Sequence, residues 1–191
     1  VSSSTKYLGG HSDIVGGSIV IKENKEYAEK ISYIQNAVGA IPSPFDCYLL
    51  TRSIKTLSVR MKQHNENAIA ISNFLTNHSK INKVFFPGID ERYKEVAAKQ
   101  MDGFGGMMSF ILDTNIDGVK SFLKNLNIFT LAESLGGVES LIEHPAIMTH
   151  ASIDPAIREK LGISDTLLRI SVGIEDVEDL IADLDQALSK I

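Results

Sequence analysis

Cysteine is nearly absent from this chain: Cys47 is the only one among 191 residues. A single cysteine excludes an internal disulfide and suits a reducing compartment, so we expect a cytoplasmic protein. We expect Cys47 itself to be a small core residue. The sequence also lacks any apolar run that approaches the ~20 residues of a membrane-spanning helix. It has no low-complexity segment, no internal repeat and no block of like charges.

The charge balance gives no sign of an anionic partner. The chain has 19 Lys and Arg residues against 24 Asp and Glu residues, for a formal net charge of −5. We therefore expect neither nucleic acid nor a membrane surface as a partner. Hydrophobic residues make up 43% and charged residues 23% of the chain, as in ordinary globular proteins. The length predicts one domain, or one domain and a piece of another.

Hydrophobic spacing predicts a chain in which helices and strands alternate. Apolar residues at helical spacing predict helices over 25–38, 54–74, 91–100, 117–126 and 177–188. Apolar and β-branched runs predict strands over 16–22, 84–86, 107–112, 128–131 and 167–172. This order predicts an α+β arrangement in which helices pack on a mainly antiparallel sheet. The order of the strands in the sheet does not follow from the pattern.

Lys6 is the most informative residue of the sequence, because hydroxyl-bearing residues precede it and glycine pairs follow it. Lysine amines form Schiff bases with aldehydes. Hydroxyl and backbone N–H groups around Ser3 and Thr5 are suitable donors for phosphate oxygens, and glycine lets the backbone approach a ligand. The segment predicts a site for an aldehyde cofactor that carries a phosphate. The alternative is that Ser3 and Thr5 satisfy local backbone groups in a turn.

Several motifs, in a fixed order along the chain, resemble those of one enzyme family. They are the segments 2–13 (SSSTKYLGGHSD), 40–48 (AIPSPFDCY), 130–140 (TLAESLGGVES), 144–152 (HPAIMTHAS) and 168–175 (LRISVGIE). Together they are similar to the Cys/Met-metabolism enzymes, the family of cystathionine γ-lyase and γ-synthase. A set of ordered motifs is far more specific than one short pattern. Within the family, the motifs are most similar to the γ-lyase pattern.

The resemblance implies a fold that combines α/β and α+β parts. It is the C-terminal part of a fold-type I, aspartate aminotransferase-like transferase that binds pyridoxal 5′-phosphate. Residues 1–55 would end the cofactor-binding domain, and residues 56–191 would form a C-terminal α+β domain that a long helix links to it. The family's N-terminal half would be absent from this chain, so these residues alone are expected to be inactive. The resemblance also implies a homotetramer, a dimer of dimers with shared active sites.

The resemblance implies roles for the residues that match the family's motifs. Lys6 would be the catalytic residue that carries the cofactor, and Ser3 and Thr5 would bind the cofactor's phosphate. Ser134 would lie near the lysine and the substrate carboxylate. Glu133 would line the pocket for the far end of the substrate, where a carboxylate suits an ammonium group. The alternative for Glu133 is a solvated loop residue.

Arg169 is predicted to project from the last strand on the side opposite its apolar neighbours. Strand alternation places Leu168, Ile170 and Val172 on one face and Arg169 on the other. A positive charge within an apolar strand needs an anionic partner, and the planar guanidinium of arginine fits a carboxylate in bidentate fashion. The residues alone leave two partners open, a substrate carboxylate and a structural Asp or Glu. The resemblance implies the first, the α-carboxylate of an amino-acid substrate.

The activity that the resemblance implies is γ-elimination of L-cystathionine to L-cysteine, 2-oxobutanoate and ammonia. The alternatives within the family are cystathionine γ-synthase and methionine γ-lyase. Glu133 argues against the second, because methionine has an apolar end. A further alternative is a truncated, non-catalytic partner of full-length subunits.

The histidines do not predict a metal site, because their spacing fits no compact zinc motif and no cysteine pair accompanies them. We interpret His144 and His150 as hydrogen-bonding residues that hold the loop after Glu143. We interpret His11 and Asp13 as braces for the glycine turn that follows Lys6.

Overall fold

The computed structural model describes residues 1–191. The chain divides into two compact units, Val1–Leu57 and Ser58–Ile191, and each is described by itself. No helix in the structure combines the length and the apolar character that crossing a membrane requires.

The first unit holds a short hairpin and two helices. Strand β1 (Ser2–Ser3) pairs antiparallel with β2 (Gly17–Ser18). The segment Ser4–Leu8, which we call the lysine turn, follows β1 directly. Helix α1 (Lys25–Val38) and helix α2 (Pro44–Ile54) complete the unit.

Side-chain caps explain where these two helices begin. The Asn24 side chain accepts a hydrogen bond from the backbone N–H of Tyr27 at 3.0 Å, which caps the first turn of α1. Helix α1 ends at Gly39, whose φ of 72° is the left-handed conformation that glycine adopts at low cost. Helix α2 begins with Pro44 after the capping residue Ser43, as expected for a proline in the first turn.

The second unit is a five-stranded sheet in the order β3-β4-β7-β6-β5. Its strands are β3 (Ile81–Phe85), β4 (Met107–Leu112), β5 (Thr130–Leu131), β6 (Leu141–Glu143) and β7 (Leu167–Ser171). Only the β5–β6 pair is parallel, so the sheet is mainly antiparallel, as predicted. Its helices are α3 (Leu57–Thr76), α4 (Lys94–Gln100), α5 (Ile116–Asn125), α6 (Pro155–Lys160) and α7 (Val177–Leu188).

One hydrophobic core joins this sheet to its helices. Strand β7 contributes Leu168 and Ile170, and both side chains are fully buried. Phe110 of β4 meets Phe122 of α5 edge to face, with the ring centroids 6.3 Å apart. Leu184 of α7 is also fully buried. Each such residue contributes roughly 1.5–3 kcal/mol through burial, so the sheet that carries Arg169 is well anchored.

Long periodic segments were predicted well and short ones poorly. The helices at 25–38 and 177–188 and the strand at 107–112 are confirmed to the residue. The predicted strand at 16–22 is wrong beyond β2, and β6 and α6 were missed because three and six residues are too short for a periodicity. The predicted long helix at 54–74 begins later, at Leu57.

The prediction that Cys47 lies in the core is wrong. Cys47 is exposed on α2, and the only buried residue of that helix is Ser53. Helix α1 has its predicted bounds, but none of its residues is buried. In the first unit, the apolar residues along a helix therefore did not predict which of its residues are buried.

Asp183 of α7 is buried and anchors the segment before β5. Its two carboxylate oxygens accept hydrogen bonds from the backbone N–H groups of Asn127, Ile128 and Phe129 at 2.8, 2.8 and 3.1 Å. Burial alone would raise the pKa of Asp183. The backbone donors and the Gln186 side chain together outweigh that effect, so its pKa is lowered.

Asp183→Asn is expected to destabilise the protein by about 2–3 kcal/mol, because an amide cannot accept all the hydrogen bonds that the carboxylate receives. Since the folded-state pKa is lowered, the stabilisation by Asp183 is fully present above the unfolded value of about 3.9. It is lost as the pH falls through the lower folded pKa. Urea unfolding between neutral and acidic pH tests both effects.

Asp185→Asn is the matched control, because Asp185 is an exposed carboxylate on the same helix. Its effect should stay within about 0.5 kcal/mol. Equal losses for the two variants, or an unchanged acid slope in Asp183→Asn, would contradict this assignment.

Candidate functional site

Lys6 lies in a turn that the backbone closes tightly. The Gly9 N–H donates to Ser4 O at 2.8 Å, and the Gly10 N–H donates to the carbonyl of Lys6 itself at 2.7 Å. The Lys6 backbone has φ −88° and ψ −136°, so it departs from the helical values on either side. Its side chain is half-buried. The lysine is therefore held at a bend rather than on a regular helix face.

Glycine is required at position 9 for this turn to close. A Cβ atom there would lie 2.7 Å from Ser4 O and 2.9 Å from Ile14 Cδ1, which is too close for either contact. Nearby, His11 Nδ1 lies 2.7 Å from Gly9 O and 3.3 Å from the Ser53 hydroxyl of α2. The prediction that His11 braces the glycine turn is confirmed.

The two predicted phosphate ligands lie in different surroundings. The Thr5 hydroxyl accepts from the Gly16 N–H at 2.9 Å and donates to Gly16 O at 3.3 Å. Ser3 is exposed on β1. Thr5 thus has the local backbone contacts that the turn alternative describes, while Ser3 faces solvent. Their role as phosphate ligands stays a prediction.

The donor set of this turn fits pyridoxal phosphate. Residues 3–6 present the primary amine of the half-buried Lys6 and three hydroxyls, those of Ser3, Ser4 and Thr5, of which Ser3 and Thr5 are the predicted phosphate ligands. An aldehyde requires the amine, and a phosphate requires hydroxyl and N–H donors. Lys6 would hold the aldehyde carbon and the hydroxyls would hold the phosphate.

Arg169 lies on β7, opposite Glu143 of the neighbouring strand β6. Its Nη2 atom forms an ion pair with Glu143 Oε2. The same nitrogen lies 3.4 Å from the backbone oxygen of Glu133 and donates to it. The Arg169 side chain is 28% exposed, whereas that of Glu143 is 2% exposed. The structural salt bridge left open by the sequence is therefore present, and the guanidinium still reaches solvent.

Sequence analysis missed Glu143 as a partner of Arg169. A signal was available: Glu143 ends the apolar pair Leu141–Ile142, so its charge needed a buried partner by the argument used for Arg169. The predicted roles of His144 and His150 in holding the following loop are confirmed. His144 Nε2 lies 2.9 Å from Asp165 O, and His150 Nδ1 lies 2.8 Å from the Thr149 hydroxyl.

The segment 133–140 carries the other two predicted site residues. Glu133 is exposed and Ser134 is half-buried. The segment is attached to β7, because the Gly136 N–H donates to the Ser171 hydroxyl at 2.8 Å. The Glu175 carboxylate accepts from Ser140 through both its N–H at 2.6 Å and its hydroxyl at 2.8 Å.

Helix α3 holds the chain that leaves β7. His64 Nδ1 lies 2.7 Å from Val172 O, and the Asn67 side chain donates to Gly173 O at 3.1 Å and Glu175 O at 2.9 Å. Burial lowers the pKa of His64 by more than the hydrogen bond with the Val172 carbonyl raises it, and the nearby Arg60 charge lowers it further. A neutral His64 therefore holds the backbone directly after β7, the strand that carries Arg169.

The predicted site residues fall into two groups. Ser3, Thr5 and Lys6 belong to the unit Val1–Leu57. Glu133, Ser134 and Arg169 belong to the unit Ser58–Ile191, where Arg169 contacts the backbone of Glu133.

Comparison with known proteins identifies the family of this chain. The family model described as Cys/Met metabolism PLP-dependent enzyme matches residues 1–189. The chain is 54% identical over 189 residues to cystathionine gamma-lyase of Dictyostelium discoideum, which covers 98% of this chain and 49% of that protein. It is 53% identical over 187 residues to cystathionine beta-lyase of Coxiella burnetii, which covers 97% and 48%.

A solved structure shares the fold. The structure of cystathionine gamma synthase from Xanthomonas oryzae pv. oryzae, in complex with aminoacrylate and cysteine, matches with a TM-score of 0.92 at 49% identity. The match covers 98% of this chain and 49% of that chain, and it confirms the predicted fold class, that of the fold-type I enzymes. The chain spans about half the length of the curated relatives it matches. It belongs to the Cys/Met-metabolism enzymes, which depend on pyridoxal phosphate.

Proposed function

We propose that the complete polypeptide containing this chain cleaves L-cystathionine by γ-elimination to L-cysteine, 2-oxobutanoate and ammonia. The observation that supports this best is the contact between Arg169 Nη2 and the backbone oxygen of Glu133 at 3.4 Å. It places a cation that suits an α-carboxylate next to a residue whose own carboxylate is exposed. A substrate with a carboxylate at one end and an ammonium at the other fits this pair.

Arg169 binds the substrate α-carboxylate in this proposal. A guanidinium donates charge-assisted hydrogen bonds to a carboxylate, and these orient the substrate as well as position it. Ser134 adds a hydroxyl donor near the same carboxylate, and Glu133 attracts the distal ammonium of cystathionine. Holding the substrate in one orientation is a large part of what an enzyme contributes to the rate.

Lys6 would hold the cofactor by its aldehyde, and the Lys6 amine would take up the proton from the substrate Cα and return protons at later steps. Proton transfer by a positioned amine contributes typically about 10²–10⁴-fold to a rate. When bound, pyridoxal phosphate supplies the electron sink for the charge that develops at Cα. Ser3 and Thr5 hold its phosphate.

Two relatives favour alternative reactions of the same site. One similar protein bears the name cystathionine beta-lyase and one similar structure the name cystathionine gamma synthase. Both reactions involve cystathionine, so the site residues are compatible with them. Methionine γ-lyase is disfavoured by Glu133, and a non-catalytic partner of full-length subunits is disfavoured because Lys6 and Arg169 are both present.

Product analysis of the complete polypeptide tests the proposal. With L-cystathionine, γ-elimination gives cysteine and 2-oxobutanoate, whereas β-elimination gives homocysteine and pyruvate. Cysteine with an O-acyl-homoserine gives cystathionine only if the protein is a synthase. We expect 2-oxobutanoate to be the main keto acid. Pyruvate as the main keto acid, or faster synthesis than cleavage, would replace the proposal with the corresponding alternative.

We further propose a cytoplasmic homotetramer with active sites shared between subunits, and no activity for residues 1–191 alone. The support is the family resemblance together with the share of the relatives that this chain spans. Sedimentation of the complete polypeptide checks the oligomer.

A further inference from the structure

Behind Arg169 lies a chain of hydrogen bonds that the proposed function does not use. Glu143 makes the ion pair with Arg169 through Oε2. The Thr149 hydroxyl contacts Glu143 Oε1. His150 Nδ1 lies 2.8 Å from that hydroxyl. The chain therefore runs from a half-buried histidine, through an exposed hydroxyl, to a carboxylate that is 2% exposed.

The direction of each hydrogen bond in this chain is fixed by the number of protons. An ionised carboxylate only accepts, so the single hydroxyl proton of Thr149 points to Glu143. The Thr149 oxygen then acts as an acceptor towards His150, which must donate from Nδ1. A chain with one allowed direction holds the Glu143 carboxylate in one orientation.

We propose that Glu143 is a positioning residue for Arg169 and that Thr149 fixes Glu143 in turn. Both contacts of the Arg169 guanidinium, to Glu143 and to the Glu133 oxygen, use Nη2. Because both contacts hold Nη2, they fix the plane of the guanidinium, and its Nη1 N–H groups remain to donate to the substrate carboxylate. The inference rests on the proposed role of Arg169 as the anchor of that carboxylate.

Loss of the positioning residue Glu143 is expected to change kcat and KM differently from loss of Arg169, which binds the carboxylate. The Arg169–Glu143 pair is neutral as a whole, so the substrate meets an oriented guanidinium rather than an excess of positive charge. Without the Glu143 charge, attraction for a carboxylate is not weakened, but the guanidinium is free to rotate. Loss of orientation lowers kcat, whereas loss of an anchor raises KM.

Glu143→Gln in the complete polypeptide is therefore expected to lower kcat about 10- to 100-fold while KM for cystathionine changes by less than about 3-fold. Substrate deuterated at Cα should show a larger primary isotope effect in this variant, because removal of the Cα proton becomes slower. Glu159→Gln, at an exposed glutamate of α6, is the matched control and should leave both constants unchanged.

A second readout needs neither cofactor nor turnover. Phenylglyoxal modifies arginine side chains, and peptide mapping of cofactor-free protein measures the rate at each site. Glu143→Gln should raise the modification rate of Arg169 several-fold. Arg92, which is bonded to Asp90 at 3.0 Å in an exposed loop, serves as an internal reference whose rate stays constant. This test stands even if the complete polypeptide catalyses none of the proposed reactions.

Thr149 keeps the proposal testable if Glu143→Gln does not fold. Thr149 is exposed, so Thr149→Val removes the hydroxyl without opening a cavity. We expect a partial effect on both kcat and Arg169 modification, and recovery of both in Thr149→Ser, which retains the hydroxyl. Unchanged Arg169 reactivity in Glu143→Gln and in Thr149→Val, or a Thr149→Ser variant as impaired as Thr149→Val, overturns the proposal.

Discussion

Lys6→Ala in the complete polypeptide is expected to lower kcat for cystathionine by about 10⁴-fold, the upper range for a positioned proton-transfer group. The variant loses both the covalent attachment of the cofactor and the amine that moves protons at Cα. Steady-state kinetics measure the loss of catalytic activity. Borohydride reduction followed by peptide mapping measures the attachment, with the reduced cofactor expected on Lys6 of the wild type and absent from the variant.

Lys22→Ala is the matched control, since Lys22 is another lysine of the first unit and is exposed. It should retain wild-type kinetics and labelling. Partial recovery of Lys6→Ala by a small added amine would support a proton-transfer role specifically. Labelling of a different lysine in the wild type, or substantial activity in Lys6→Ala, would remove Lys6 from the mechanism.

Arg169→Ala is expected to lower kcat/KM by about 10²–10³-fold, because it removes the carboxylate anchor and leaves a buried charge unpaired. The same variant should lose about 3 kcal/mol of stability, since Glu143 is left without a partner cation in a site that is 2% exposed. Kinetics and urea unfolding measure the two losses separately.

The double variant Arg169→Ala with Glu143→Ala separates structure from substrate binding. Removal of both charges should restore much of the lost stability, because no unpaired buried charge remains. It should not restore kcat/KM, because the anchor is still missing. Recovery of both properties together would show that Arg169 acts only as a structural partner of Glu143.

The order of helices and strands along the chain was largely predictable, and the order of the strands within the sheet was not. Strand β4 and helix α7 carry periodic apolar residues over enough length to be recognised from the sequence. Strand β6 has three residues, all buried, and no alternation to detect. The parallel β5–β6 pair and the central place of β7 depend on contacts between distant residues, which local patterns do not contain.

The candidate site was predictable residue by residue but not as a set of contacts. Lys6 and Arg169 stand out because their sequence context requires a partner for a charged group. Which partner it is depends on strand register, and register places Glu143 opposite Arg169. The same limit applies to Thr5, whose hydroxyl bonds to Gly16, eleven residues further along the chain. Motifs identify reactive groups, whereas the neighbours that orient those groups come from the fold.

The place of β7 in the sheet has a consequence for how the protein is made. It is the last strand in the sequence, yet it lies between β4 and β6. On the ribosome, both of those strands emerge first and expose unpaired edges until Leu167–Ser171 has been synthesised. Pairing of sequence-distant strands is slow, and open edges invite association with other chains. Translation that stalls before β7 therefore yields an aggregation-prone nascent chain. The sheet can form only after the β7 segment has been synthesised.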